Sequence, residues 1–112
     1  MKPLHVVLAA LEAHLRAGHC RPEADVPYLR HEMERIERAQ AMESESMRAA
    51  EDAIERLAPD GSAQTDRSWR EQQVAYTAAR TRLAALDLEE VLLRSSVECE
   101  LWWARKRALV AA

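Results

Sequence analysis

Glycine and phenylalanine are nearly missing from this chain of 112 residues, which has two glycines and no phenylalanine. A β-sandwich, a β-barrel and a doubly wound sheet all need frequent turns, and turns depend heavily on glycine. The scarcity of glycine therefore excludes these architectures. The residues that are abundant, with 21 alanines, 14 glutamates and 14 arginines, favour helices. We therefore predict an all-α protein.

Cysteine is scarce as well, and long apolar runs do not occur. Cys20 and Cys99 are too few for a disulfide framework. No apolar stretch approaches the roughly 20 residues that a bilayer span needs. The N-terminal segment resembles a secretory signal only briefly, because His5 interrupts its apolar run and Glu12 ends it. We predict a cytoplasmic protein with no membrane partner.

Cations are outnumbered by carboxylates, which gives a formal net charge of −3. Binding to nucleic acid without sequence preference needs clustered cations that neutralise phosphates. The charge balance therefore disfavours direct nucleic-acid binding.

Apolar residues recur at spacings of three and four over three segments, as in amphipathic helices. We predict helix 1 at about residues 3–17, helix 2 at about 26–57 and helix 3 at about 66–109, all in a single domain of residues 1–112. A break of helix 3 near Asp87 is the alternative to one continuous helix.

Capping residues indicate where these helices begin and end. Gly18 suits the position just past helix 1, and Asp25 suits the N-cap of helix 2. Residues 58–62, which include a proline and a glycine, should stop helix 2. For the start of helix 3, Ser68 in a capping box competes with Thr65.

The predicted fold is a three-helix antiparallel bundle, in which short helix 1 packs on a coiled-coil-like hairpin of helices 2 and 3. Residue i of helix 2 should face roughly residue 122−i of helix 3. Two seams support this pairing. They consist of Val26, Leu29, Met33, Ile36, Gln40, Glu43, Met47, Ala50, Ile54 and Leu57 on helix 2, and of Trp69, Gln72, Tyr76, Ala79, Leu83, Leu86, Glu90, Leu93 and Val97 on helix 3.

The two ends of this hairpin should differ. Helix 1 should pack where the apolar face of helix 3 widens, from Leu86 onward, and leave a two-helix arm at about residues 43–78. Gln40 and Glu43 interrupt the seam of helix 2. They either fix the register of the pair or mark a loose, hydrated section.

Motifs for catalysis or metal binding do not stand out. The chain has no His-Glu-x-x-His, no Cys-x-x-Cys and no glycine-rich phosphate loop. Paired carboxylates resemble the acidic Mg²⁺ sites of all-helical nucleotide pyrophosphohydrolases, but they should face outward. These pairs are Glu34 with Glu37, Asp52 with Glu55, and Glu89 with Glu90. We predict a non-enzyme without cofactor or metal, and a small divalent-metal-dependent helical enzyme is the alternative.

Two features point to contact with another protein. Trp102 and Trp103 precede the basic run at residues 105–107, and tryptophan and arginine are enriched in interface hot spots. Residues 31–60 and 87–100 carry net charges of −5 and −4, which the hairpin should bring together to attract a basic partner surface. The candidate partner-binding residues are Trp102, Trp103, Arg105, Arg107, Glu34, Glu37, Glu89 and Glu90.

In size, composition and lack of catalytic motifs, the chain resembles the small acidic helical proteins with which phages and mobile elements block host defence, such as anti-CRISPR proteins. The resemblance involves no motif and transfers no residue. It implies an inhibitor of a host nuclease or defence effector that acts by steric or acidic-surface blocking. The alternative interaction protein is a structural homodimer or adaptor.

Overall fold

The computed structural model of the chain describes residues 1–57 and 61–112. These residues form three helices and no strand, namely α1 (Leu4–Arg16), α2 (Val26–Leu57) and α3 (Ala63–Ala111). The all-α bundle is confirmed. The helix stop predicted at residues 58–62 falls partly outside the described residues. Helix α3 continues through Asp87, so the alternative of a break there is wrong.

The end of α1 agrees with the sequence. Gly18 has φ +78°, a left-handed conformation that glycine adopts without steric cost. This turn lets the His19 N–H donate to the carbonyl of His14 at 2.9 Å, and the Gly18 N–H donate to the carbonyl of Leu15 at 3.0 Å. The two bonds form a Schellman motif, which satisfies the last carbonyls of the helix.

The starts of α2 and α3 differ in how well the sequence predicted them. The Tyr28 N–H donates to Asp25 Oδ1 at 3.1 Å, so Asp25 caps α2 as expected. The cap of α3 is Ser62, whose Oγ accepts from the Thr65 N–H at 3.2 Å. Caps at Thr65 or Ser68 were therefore wrong. The left-handed turn at Gly61, with φ +89°, lets the helical conformation begin directly after Ser62.

The chain forms two compact units. We call the first the three-helix unit, which comprises Met1–Ile36 and Glu89–Ala112. We call the second the two-helix unit, which is Glu37–Leu88.

The three-helix unit has one apolar core. Its buried side chains are Leu4, Val7, Leu8, Leu11, Val26, Met33, Ile36, Leu93, Val97, Leu101 and Ala104. Polar contacts fix the helix directions. Arg30 Nε of α2 donates to Glu12 Oε2 of α1 at 3.0 Å, and Arg94 Nη1 of α3 donates to the carbonyl of Lys2 at 2.8 Å. Helix α1 is thus antiparallel to α2 and parallel to α3.

The two-helix unit has a thinner core, in which only Ala50 and Ala79 are buried among its described residues. Both interrupting seam residues bond across to α3. Gln40 Nε2 donates to Asp87 Oδ1 at 3.0 Å, and Arg82 Nε donates to Glu43 Oε1 at 2.9 Å. Such directional cross-helix bonds are what register-fixing residues make.

Every residue of the two predicted seams is buried or half-buried, which confirms the seams. The widened apolar face of α3 is a different case, because helix 1 was expected to cover it. Leu88, Val91 and Leu92 are 61%, 61% and 62% exposed. Helix α1 does pack on this half of α3, beside Leu101 and Trp102, as expected. The expectation that it covers the whole widened face was wrong, because Val91 and Leu92 remain in solvent.

Candidate partner-binding surface

The adjacent tryptophans of α3 both reach solvent. Trp102 is 52% exposed and Trp103 is 38% exposed. Their rings meet edge to face with centroids 4.8 Å apart, the arrangement that aromatic quadrupoles favour. Neither tryptophan is therefore buried beneath α1. Successive residues of a helix point about 100° apart, and here neither direction leads into the core.

Each indole carries a cation over its ring. Arg21 Cζ lies 4.9 Å from the centroid of Trp103, and Lys106 Nζ lies 5.3 Å from that of Trp102. Such cation–π contacts hold an aromatic ring in one orientation. Arg21 is held in turn by both carboxylate oxygens of Glu100, with Nε 3.3 Å from Oε2. This hydrogen bonding raises the pKa of Arg21 above its ordinary value.

A shallow groove of about 440 Å³ runs between α1 and α3 beside Trp102. Its apolar residues are Val6, Val7, Ala10, Leu101 and Trp102, and its charged residues are Lys2, Arg94, Arg105 and Glu98. A second depression, on the other side of α3, includes Trp103, Arg107 and Val110. Both tryptophans therefore border concave, largely basic surface. Arg105 and Arg107, the two predicted arginines, are exposed.

The acidic candidates are less available than the sequence indicated. Glu34 and Glu37 are exposed on α2, whereas Glu90 is half-buried. Glu89 pairs with Arg35, whose Nη2 lies 3.0 Å from its Oε1. Arginine therefore neutralises part of the acidic charge that was expected to attract a basic partner.

Ion pairs between residues distant in sequence account for several other carboxylates, and sequence reasoning missed them. Arg21 with Glu100, Arg30 with Glu12 and Arg82 with Glu43 join residues far apart in the chain. Only contacts within one helix have a signal in the sequence, such as Arg94 with Glu98 at spacing i,i+4.

Comparison with known protein families, with curated proteins and with solved structures finds no match to this chain. The site must therefore be interpreted from its own residues.

Among residues 1–57 and 61–112, no three histidine, cysteine or acidic side chains are placed to hold a metal ion together. The paired carboxylates of the enzyme hypothesis therefore do not belong to a group of three or more such side chains there. No helix in the same part is long and apolar enough to cross a membrane.

The two thiols occupy different environments, and both are free. Cys20 is half-buried, and its Sγ lies 3.7 Å from the carbonyl oxygen of Leu11. Burial raises the pKa of the Cys20 thiol, which keeps it protonated and unreactive. Cys99 is exposed on α3, on the side away from the core.

The ion pair between Glu12 and Arg30 should make stability depend on pH. The hydrogen bond from Arg30 lowers the pKa of Glu12 below its ordinary value. The pair therefore stabilises the folded state above the ordinary carboxyl pKa, and the benefit disappears as pH falls through the lowered value. We expect Glu12→Gln to reduce the free energy of unfolding at pH 7 by up to about 1 kcal/mol, and by much less near pH ~3.

Urea unfolding at both pH values measures this effect. Glu45→Gln is the matched control, because Glu45 is an exposed carboxylate of α2. An equal loss for Glu12→Gln at both pH values would contradict the assignment to its ionised form.

Proposed function

We propose that the protein is a non-enzymatic helical interaction module that binds another protein through Trp102 and Trp103. The observation that carries the proposal is the exposed tryptophan pair, with a cation held over each ring. Large aromatic side chains fixed before binding lose little conformational entropy on binding. Tryptophan and arginine also dominate the energetics of protein interfaces.

The tryptophan surface is favoured over the acidic surface as the main contact. We define it as Trp102, Trp103, Arg105, Lys106 and Arg107, all of which are exposed. In the acidic set, Glu89 is ion-paired and Glu90 is half-buried. Separating such ion pairs during binding costs part of the electrostatic gain. The exposed carboxylates of Glu34 and Glu37 support a secondary, steering role towards a partner with basic surface.

In its narrower form, the proposal is that of a phage or mobile-element inhibitor of a host defence effector, similar to anti-CRISPR proteins. The small helical body supports steric blocking of such an effector, and the exposed carboxylates of Glu34 and Glu37 would steer the protein towards a basic groove. Such an inhibitor would act in the cytoplasm, where free thiols such as Cys20 and Cys99 persist. Expression in a bacterium whose CRISPR system targets a phage should restore plaque formation. Unchanged plaque numbers would contradict this narrower form.

The interaction itself is tested by affinity capture from the native host. We compare the unaltered chain with Trp103→Ala and with Val74→Ala, which removes an exposed apolar side chain of the two-helix unit. We expect Trp103→Ala to recover the partner at least about tenfold less well, as hot-spot truncations do. Val74→Ala should bind normally. Equal recovery by all three folded proteins would overturn the proposal.

A further inference from the structure

The C-terminal part of α3 has two apolar faces. One faces the core and consists of Leu93, Val97, Leu101 and Ala104, all buried. The other, which we call the outer face, consists of Val91, Leu92, Ser95, Cys99, Trp102 and Trp103, all exposed. At 100° per residue, these six positions lie on the side of α3 opposite Val97.

The outer face is too apolar for a helix side that stays in water. Val91 and Leu92 are 61% and 62% exposed, next to the two tryptophans. A helix with apolar side chains on two opposite sides is normally buried on both of them. Here α1 and α2 cover only the core side, so a further surface is needed to bury the rest.

We propose that a second copy of this chain covers the outer face, with the two α3 helices antiparallel about a two-fold axis near residue 97. The inference rests on the proposed function, because it names the protein that the tryptophan surface binds. In this arrangement residue i faces about residue 194−i of the second copy.

Apolar side chains match in this register. Within one residue of this register, Val91 meets Trp102 of the second copy, and Leu92 meets its Trp103. A two-fold axis keeps each flank of the helix against the same flank of the other copy. At 100° per residue, Val91 and Trp102 lie on one flank of the outer face and Leu92 and Trp103 lie on the other. Trp102 borders α1, whereas Trp103 borders the α1–α2 loop. At the crossing, Ser95 meets Cys99, and these small side chains permit close approach.

The charges of α3 favour a second copy and select the antiparallel direction. Residues 89–100 contain four glutamates and one arginine, whereas residues 101–112 contain three cations and no carboxylate. Antiparallel pairing places each acidic half against the basic half of the other copy. A parallel pair would place like charges together, which disfavours association. The face is therefore complementary to itself.

The oligomeric state tests the proposal directly. Sedimentation velocity over a range of concentrations should show a dimer for the unaltered chain. We expect Leu92→Glu to weaken the dimer at least about tenfold, with unchanged helical circular dichroism. Val74→Glu is the matched control, since it places the same charge at an exposed valine of α3 in the two-helix unit. It should leave the dimer intact.

Disulfide trapping gives an independent measure of the same geometry. In a Cys20→Ala background, Ser95→Cys provides a thiol opposite Cys99 of the second copy. Mild oxidation should yield a covalent dimer that reducing agent separates. The Cys20→Ala variant without Ser95→Cys has Cys99 as its one cysteine and should cross-link poorly. The reason is that the two Cys99 residues of the dimer lie on opposite sides of the two-fold axis. Efficient cross-linking through Cys99 alone would overturn the proposal.

The remaining outcomes separate this inference from the proposed function. Suppose that the chain is a monomer at every concentration, and that it captures a different protein which Trp103→Ala no longer captures. This result overturns the dimer and leaves the interaction module standing. A dimer unaffected by Leu92→Glu overturns the outer face as its interface. A monomer that binds anionic vesicles through Trp103 and captures no protein overturns both.

Discussion

Replacing Leu8 with alanine is expected to lower the free energy of unfolding by about 2–5 kcal/mol. Leu8 is completely buried, in the core where α1 meets α2 and α3. The substitution removes apolar contact and leaves a cavity that rigid neighbours fill only in part. Helix α1 has 13 residues, too few to be stable alone, so it depends on this packing.

Chemical denaturation followed by circular dichroism measures the loss. Leu15→Ala is the matched control, because it makes the same change on the same helix at a side chain that is 40% exposed. We expect the control to cost less than about 1 kcal/mol. Similar losses for both variants would mean that α1 is not held by the face that carries Leu8.

The seams were predictable from sequence because burial in a helix pair repeats with the period of the helix. Steps of three and four residues recover the positions on one side of a helix, whatever lies opposite. The polar interruptions at Gln40 and Glu43 belong to the same series, and they lie on the same half-buried side. Periodicity thus identified the inward residues without any knowledge of their partners.

Helix starts were harder to predict, because several residue types cap equally well. Ser62, Thr65 and Ser68 all have a side-chain oxygen suited to an N-cap. The choice of Ser62 depends on the backbone that precedes it, where Gly61 adopts positive φ. Conformation at a glycine is not a property of composition or spacing, so the sequence offered Thr65 and Ser68 as candidates and Ser62 was missed.

The candidate site shows the same limit for contacts between distant residues. The exposure of Trp103 and its contact with Arg21 depend on a loop 82 positions earlier in the chain. Tryptophan next to a basic run indicated an interface, but the cation over the ring came from elsewhere. Arg35 likewise removed Glu89 from the set of free carboxylates. Tertiary pairing of charges decides which residues remain for a partner.

In the two-helix unit, Ala79→Leu should lower the free energy of unfolding by about 1–3 kcal/mol. Ala79 is only 1% exposed, although this unit has no third helix to cover it. Such burial of a methyl group requires the facing segment of α2 to approach closely. Three additional carbon atoms do not fit that space without separating the helices or distorting side chains.

The control is Ala75→Leu, one turn earlier on α3, where the alanine is exposed. Its leucine extends into water, so we expect a change within about 0.5 kcal/mol. Urea unfolding gives the free energies, and hydrogen exchange shows where the loss occurs. Faster exchange should be concentrated in the two-helix unit. The amides of α1 should exchange faster only by the amount that the loss of global stability requires. Unchanged or increased stability of Ala79→Leu would show that the helices leave room at Ala79, and would contradict close approach as the cause of its burial.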